Sequence, residues 1–272
     1  MRLRLAQRAA ARWAVPLFPP HSGSSSPAMR ALTAAELLRV WEEGTLLSPL
    51  HRALALLQAA APEMSFEQLA RLPIGQRDRR LLQLRAAVFG PEVAAVASCP
   101  QCGEKLDVTF HCDQLNVESP PPGDGPFRLE CDGHSLTFRV PDTFDLMAAG
   151  ALPDPAAAET QLLHRCLLSA HRGDDALSPD TLPEPVLAAL ALRLAESDPQ
   201  ADLQLAMGCP ACAHRWAETF DIVSFFWREI EAWAGRLFGE VHTLASAYGW
   251  TEHEILSLSP TRRRLYLEQV NA

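Results

Sequence analysis

Two Cys-Pro-x-Cys sequences, Cys99–Cys102 and Cys209–Cys212, constrain the fold more than any other feature of the chain. Two residues between the cysteines let both sulfurs bind one metal ion from a tight turn, and four thiolates complete the tetrahedral shell typical of zinc. Aligning the two pairs also aligns Thr109–Phe110 with Thr219–Phe220. Each of these turns, called knuckles below, is therefore predicted to sit at the tip of a β-hairpin.

Together the two hairpins predict a split zinc ribbon, formed by residues 92–112 and 200–221, with one structural Zn²⁺ bound by the four knuckle cysteines. Because 106 residues (103–208) separate the knuckles, residues 113–199 are predicted to be an insertion. Loop closure costs only about 0.6 kcal/mol more per doubling of length, whereas structural zinc contributes on the order of 10 kcal/mol. A closed four-thiolate shell has no open position for a substrate, so the zinc is not expected to be catalytic.

Other ligand assignments remain open at this point. Cys131 and His134 have the same two-residue gap and could join the metal site, and a redox dithiol pair is a further alternative. Against the first, Asp132 and Gly133 favour a tight hairpin turn between the two residues, and no second copy of that pair exists. Cys166 falls on the apolar side of a predicted helix and is expected in the core.

Composition limits the compartment and the partners. Seven cysteines, an odd number in a chain large enough to form a core without disulfides, favour a reducing bacterial cytoplasm. The net charge of −9 disfavours broad binding to phosphate backbones, and no apolar stretch approaches the roughly 18 residues that span a membrane. The alternative function is a zinc-ribbon nucleic-acid-binding or transcription-type adaptor. It is less favoured, because only Lys105, Arg215 and Trp216 offer basic or aromatic side chains near the knuckles.

The fold class predicted for the chain is α+β, mainly α, with helical segments on both sides of the ribbon. Residues 1–28 are rich in arginine and contain no acid, and they are interpreted as a mis-assigned start before Met29, a disordered arm or a targeting peptide. Residues 29–91 show helical periodicity. Capping boxes begin at Thr33 and Ser65. The arginines of a last N-terminal helix, between Arg77 and Arg85, are expected on a solvated face.

The insertion is predicted to contain a loop, a hairpin and helices. The Pro/Gly-rich residues 119–126 are a loop, and residues 128–140 form two strands around the Asp-Gly turn. Helices are expected over residues 156–171 and 184–196, and residues 222–272 form a C-terminal helical region.

The C-terminal region begins with a long periodic helix from Asp221 to Gly249, with one apolar stripe directed to a core. Phe225 and Trp227 fall outside that stripe, so they either pack on the ribbon or bind a partner. Aromatic and arginine side chains anchor interfaces. The predicted partner-binding residues are Phe225, Trp227, Arg262, Arg263 and Arg264.

No sequence pattern indicates an enzyme. The chain has no phosphate-binding Gly-rich loop, dinucleotide fingerprint, zincin His-Glu pair or nucleophile elbow. A non-enzymatic structural or assembly protein is therefore predicted.

Three features together resemble the baseplate hub-assembly proteins of T4-type phages and their relatives in phage-like contractile injection systems. They are the helical N-terminal part with its Arg77–Arg85 run, the paired knuckles, and the ending with Tyr248–Trp250, Ile255–Leu256 and Arg262–Tyr266. The resemblance spans about residues 30–270. It implies a non-enzymatic protein that helps to build the central baseplate of a contractile tail in the bacterial cytoplasm. Its implied partners are other baseplate or hub proteins, and incorporation into the assembled injection particle is a further expectation.

Overall fold

The computed structural model of the chain describes residues 29–117 and 126–270. The predicted arm, residues 1–28, and nearly all of the predicted loop at 119–126 lie outside these ranges. The described residues form ten α-helices and eight β-strands, so the predicted α+β, mainly helical class is confirmed.

Four helices form the N-terminal part, and both predicted capping boxes are present. The helices are α1 (Ala34–Gly44), α2 (Pro49–Ala60), α3 (Phe66–Ala70) and α4 (Ile74–Phe89). At the start of α1, the Glu36 backbone N–H donates to the Thr33 hydroxyl, and the Glu36 carboxylate accepts from the Thr33 N–H. Ser65 and Gln68 exchange the same pair of bonds at α3, so two sets of helix-end N–H groups are satisfied.

The first ribbon hairpin and the insertion follow. The hairpin consists of β1 (Glu92–Ser98) and β2 (Lys105–His111), which pair antiparallel. The elements of the insertion are β3 (Phe127–Cys131), β4 (His134–Phe138), α5 (Thr143–Gly150), α6 (Pro155–Cys166), β5 (Leu167–Arg172), β6 (Asp175–Ala176) and α7 (Glu184–Ser197). Its strands form one antiparallel sheet in the order β3-β4-β5-β6. Asp132 and Gly133 adopt φ values of 48° and 72° in the β3–β4 turn, which is the left-handed geometry favoured in tight hairpins.

One predicted helix in the insertion is too long. The helix expected over residues 156–171 ends at Cys166, and Leu167–Arg172 forms strand β5 instead. This strand pairs with the second edge of β4, where Ala170 lies opposite Leu136. The pairing is non-local, and such context overrides the helical propensity of a short segment. The predicted helix at 184–196 is confirmed as α7.

The second ribbon hairpin and three helices complete the chain. They are β7 (Gln204–Gly208), β8 (Arg215–Thr219), α8 (Ile222–Tyr248), α9 (Glu252–Ser257) and α10 (Pro260–Val270). Asp221 caps the start of α8 through its side chain, and Gly249 ends the helix in the left-handed conformation with φ 69°. A non-glycine residue would be strained at that position.

Two large hydrophobic clusters hold most of the described residues together, and a smaller one joins α1 to α8. The main core joins the N-terminal helices, both ribbon hairpins and the first half of α8, through side chains such as Leu54, Leu81 and Phe226. The insertion core lies between the four-stranded sheet and helices α5–α7, around Phe138 and Leu190. The ribbon is therefore anchored in the main core, while the insertion has an apolar interior of its own.

The expectation that the arginines of α4 lie on a solvated face is wrong for two of them. Arg77 and Arg85 are only 2% and 3% exposed. Arg77 forms an ion pair with Asp78 at 2.7 Å, and Arg85 forms one with Glu229 of α8 at 2.7 Å. Buried guanidinium groups need such partners, so these two side chains are part of the interior.

Candidate metal centre

The two knuckles have the same backbone hydrogen bonds. In the first, the Cys99 N–H donates to the Glu104 carbonyl at 2.9 Å, and in the second the Cys209 N–H donates to the His214 carbonyl at 2.9 Å. Each bond closes a tight turn that directs two cysteine side chains to one side. The local repeat predicted from the sequence is therefore present in three dimensions.

Each knuckle turns through one residue in the left-handed region. Gly103 has φ 75° in the first knuckle, and Ala213 has φ 58° at the equivalent position of the second. Their N–H groups donate to the carbonyls of Cys99 and Cys209 respectively, both at 2.9 Å. An alanine in this conformation is unfavourable by about 1–2 kcal/mol, so the surrounding contacts must hold the second knuckle in place.

All four knuckle sulfurs meet in one cluster. Cys99 Sγ lies 3.7 Å from Cys212 Sγ, and Cys102 Sγ lies 3.6 Å from Cys209 Sγ. The four Sγ atoms lie within 4.8 Å of one another. Four bonds of about 2.3 Å to one tetrahedral zinc place sulfurs about 3.8 Å apart, so the donor set and its spacing fit that ion.

Burial, backbone N–H groups and neighbouring thiols shift the pKa values of the knuckle cysteines. Burial opposes ionisation of Cys99, but hydrogen bonds from backbone N–H groups, that of Cys102 first, outweigh it and lower the pKa of Cys99 to about 7. The Glu104 N–H favours the Cys102 thiolate, yet the contact with the Cys212 thiol contributes to raising the pKa of Cys102 to about 12. Four thiolates at these distances repel one another, so a cation is needed to stabilise the fully ionised set.

The other candidate ligands lie elsewhere. Cys131 and His134 face each other across the β3–β4 pair, and His134 Nδ1 is 2.9 Å from the Asp132 carbonyl. Cys166 is fully buried in the insertion core, as predicted. Cys112 lies 3.7 Å from the Arg85 guanidinium. Within residues 29–117 and 126–270, the four knuckle cysteines form the one group of three or more residues placed to hold a metal ion.

Sequence reasoning missed the residue that ties the ribbon to the helices. The Arg85 guanidinium donates to both carboxylate oxygens of Glu229, at 2.9 and 2.7 Å. It also donates to the carbonyls of Gly90 and Glu92, at 2.8 and 2.6 Å, where the chain enters β1. Arg85 is four residues after the buried Leu81, and that spacing places both on one face of α4.

Both aromatics outside the apolar stripe, Phe225 and Trp227, have intramolecular contacts. Trp227 is 2% exposed, its Nε1–H donates to Glu231 at 2.8 Å, and the Arg52 guanidinium lies 4.5 Å from the centre of its ring. A Cβ on Gly44 would collide with the same ring. Because α1, α2 and α4 all pack on α8, more than one stripe of this helix is covered.

Phe225 and the three predicted arginines differ in exposure. Phe225 is half-buried, and its ring lies 5.3 Å from that of Phe220. Arg263 is 3% exposed and donates to Glu240 at 3.0 Å, so its guanidinium already has an intramolecular partner. Arg262 and Arg264 have exposed side chains. Partner binding by Phe225, Trp227 and the three arginines stays a prediction.

Fold and site together define a mainly helical protein built around a split four-cysteine centre. A family model described as T4 bacteriophage base plate protein matches residues 55–227, more than half of the chain and including both knuckles. The chain belongs to this family, and the resemblance stated from the sequence is confirmed. No curated protein and no solved structure gives a significant match. Among the described helices, none combines the length and apolar character needed to cross a membrane.

Proposed function

We propose that this chain is a non-enzymatic structural or assembly protein of a phage-like contractile-tail baseplate. Its family membership over residues 55–227 is the observation that carries the proposal. Its partners are other baseplate or hub proteins. Assembly takes place in the bacterial cytoplasm, and the chain is incorporated into the injection particle.

We further propose that the metal is one Zn²⁺ held by the four knuckle thiolates. The all-sulfur donor set and the reducing compartment favour zinc. Zinc bound there supplies a rigid, redox-inert crosslink. The four sulfurs close the shell, so the centre acts on structure rather than on a substrate.

The centre fixes the relative position of two chain segments that are far apart in sequence. The first hairpin follows α4 directly, and the second leads directly into α8. Arg85 of α4 and Glu229 of α8 join the same two helices by an ion pair whose guanidinium is buried. The metal and the ion pair thus hold the N-terminal helices, α8 and the insertion in one arrangement. A partner can bind this arrangement without the entropic cost of ordering it.

The experiment is co-expression of the full chain with the tail proteins encoded beside it, followed by affinity purification. We expect sheath, tube or spike components to co-purify, and particles to fail to assemble when the gene is deleted. Complementation by the wild-type gene is the control. Normal particles from the deletion strain would contradict the proposal, and binding of the purified protein to DNA or RNA would favour the adaptor alternative.

A further inference from the structure

A cavity of about 470 Å³ opens where the N-terminal helices, the insertion and the start of α8 meet. Its size lies within the range of pockets that bind ligands in proteins. Residues of both hydrophobic cores line it, for example Leu162 of the insertion core and Val223 of the main core. The cavity therefore lies at the seam between the two cores.

The walls of this seam cavity are mainly apolar and are built on helices. The large apolar side chains in the wall are Leu50, Ile74, Leu146, Met147, Leu162, Leu194 and Val223. Small residues, including Gly150, Ala191 and Ala195, leave the space open. Because helices supply the walls, the cavity is formed in advance of binding.

Hydrogen bonds fix the seam on one side of the cavity. The Ile74 N–H donates to the Pro141 carbonyl at 3.1 Å, and the Gly75 N–H donates to the Asp198 carboxylate at 2.8 Å. A Cβ on Gly75 would collide with Asp198, so glycine is required for this approach. The insertion thus rests directly on the start of α4.

The charged part of the lining is mainly acidic, beside the polar side chains of Ser48 and His51. Asp198, Asp202 and Asp221 contribute three carboxylates, and the Arg77 guanidinium is paired with Asp78. The starts of α2, α4 and α8 also border the cavity, and each helix N-terminus carries about half a positive charge. The summed charge remains negative, so the cavity repels anions and attracts a cation.

We propose that the seam cavity binds a segment of a partner protein that presents a large apolar side chain next to a lysine or arginine. The apolar walls accept the side chain, and the acidic lining attracts the adjacent cation. This inference rests on the proposed assembly function, because it names the chemistry of a partner contact. It identifies a docking site that is independent of the metal centre.

The test uses the full-length protein with ¹³C-labelled methyl groups and two peptides. Acetyl-Lys-Leu-Lys-amide and acetyl-Glu-Leu-Glu-amide have the same apolar side chain and opposite charge. We expect the cationic peptide to shift the methyl signals of Leu162, Leu194 and Val223, with an affinity at least tenfold higher than that of the acidic peptide. Equal affinity of the two peptides, or no shift of these signals, would overturn the proposal.

A cavity-filling variant with a matched control keeps the test independent of folding. Gly150 lines the cavity and a Cβ at this position meets no atom within 4 Å, so Gly150→Leu is expected to occupy the open space. Gly239→Leu on α8 is the control, since a Cβ there also meets nothing. We expect at least tenfold weaker binding of the cationic peptide for Gly150→Leu only, with unchanged methyl spectra elsewhere.

Two further measurements separate this inference from the proposed function. Butylammonium binding as tightly as the cationic peptide would identify a small molecule as the occupant and overturn the protein-segment assignment. Normal co-purification of tail proteins with Gly150→Leu would overturn the docking site while leaving the assembly function intact. Failure of the wild-type chain to co-purify tail proteins would contradict the assembly function itself.

Discussion

Phe110 and Phe220 meet edge to face, with ring centroids 5.6 Å apart and an interplanar angle of 88°. Each lies at the same position of its hairpin, after the knuckles that begin at Cys99 and Cys209. Both rings are buried in the main core. The two copies of the sequence repeat therefore contact each other at two places, through the sulfurs at the hairpin tips and through the rings at the hairpin bases.

This ring contact is expected to stabilise the folded chain beyond the area that it buries. Phe110→Leu and Phe220→Leu should each destabilise the protein, and the double variant should lose about 0.5–1.5 kcal/mol less than the sum of the two. Urea unfolding of the wild type and the three variants gives the coupling. Additive effects would indicate that the rings contribute only as separate apolar groups.

Metal analysis should find one zinc per folded, reduced chain. Cys209→Ser should lose the metal and several kcal/mol of unfolding free energy, because a missing ligand opens the link between the two hairpins. Cys131→Ser is the matched control and should keep its zinc, since Cys131 lies in the insertion sheet. Folded wild-type protein without zinc would contradict the metal assignment.

Replacing the buried guanidinium of α4 should be far more harmful than replacing an exposed one. Arg85→Met leaves the Glu229 carboxylate and two carbonyls without their donor and should cost about 3–5 kcal/mol. Arg193→Met removes the exposed pair with Glu196 and should cost less than about 1 kcal/mol. Chemical denaturation measures both, and equal effects would show that the buried pair does not support the ribbon.

The carboxyl group of Asp198 should make stability depend on pH. Burial raises the pKa of Asp198 to about 6, aided by the nearby Asp78 and opposed by the Gly75 N–H. Between about pH 4 and pH 6 the folded chain keeps a proton that the unfolded chain releases, so this group's contribution to the unfolding free energy falls as the pH rises. Between pH 4 and pH 6, the contribution of Asp198 to the unfolding free energy falls by about 2–3 kcal/mol.

The variant Asp198→Asn tests this pH dependence, because its amide oxygen still accepts from Gly75. Its unfolding free energy should fall less steeply than that of the wild type between pH 4 and pH 6, in urea titrations at constant free zinc. Asp202→Asn, at a half-exposed neighbouring position, serves as the control. Parallel curves for the wild type and Asp198→Asn would show that Asp198 is not the responsible group.

The exposed arginines of α10 give a test of the predicted partner surface. Arg262→Glu combined with Arg264→Glu should reduce co-purification of tail proteins without changing zinc content or the melting temperature, because neither side chain is buried. Arg236→Glu, exposed on α8, is the control for reversing an arginine charge outside α10. Unchanged co-purification by the double variant would place the partner surface elsewhere.

The sequence alone determined the features that depend on short-range chemistry. The residues of each knuckle specify its turn and include two of the four predicted metal ligands. Four thiolates can bind one ion only if the two knuckles meet, however long the chain between them is. The capping residues Thr33 and Ser65 and the Asp132–Gly133 turn likewise act within a few residues, so their positions could be predicted correctly.

Only the tertiary structure decided which face of each element is covered. The sequence pattern places Trp227 and Arg77 outside the apolar stripes of their helices. Both side chains are nevertheless buried, because other helices and the insertion enclose them. Leu167–Arg172 becomes a strand because the open edge of β4 lies beside it. Burial and sheet pairing depend on segments far away in the chain, and periodicity within one segment carries no information about what packs against its second side.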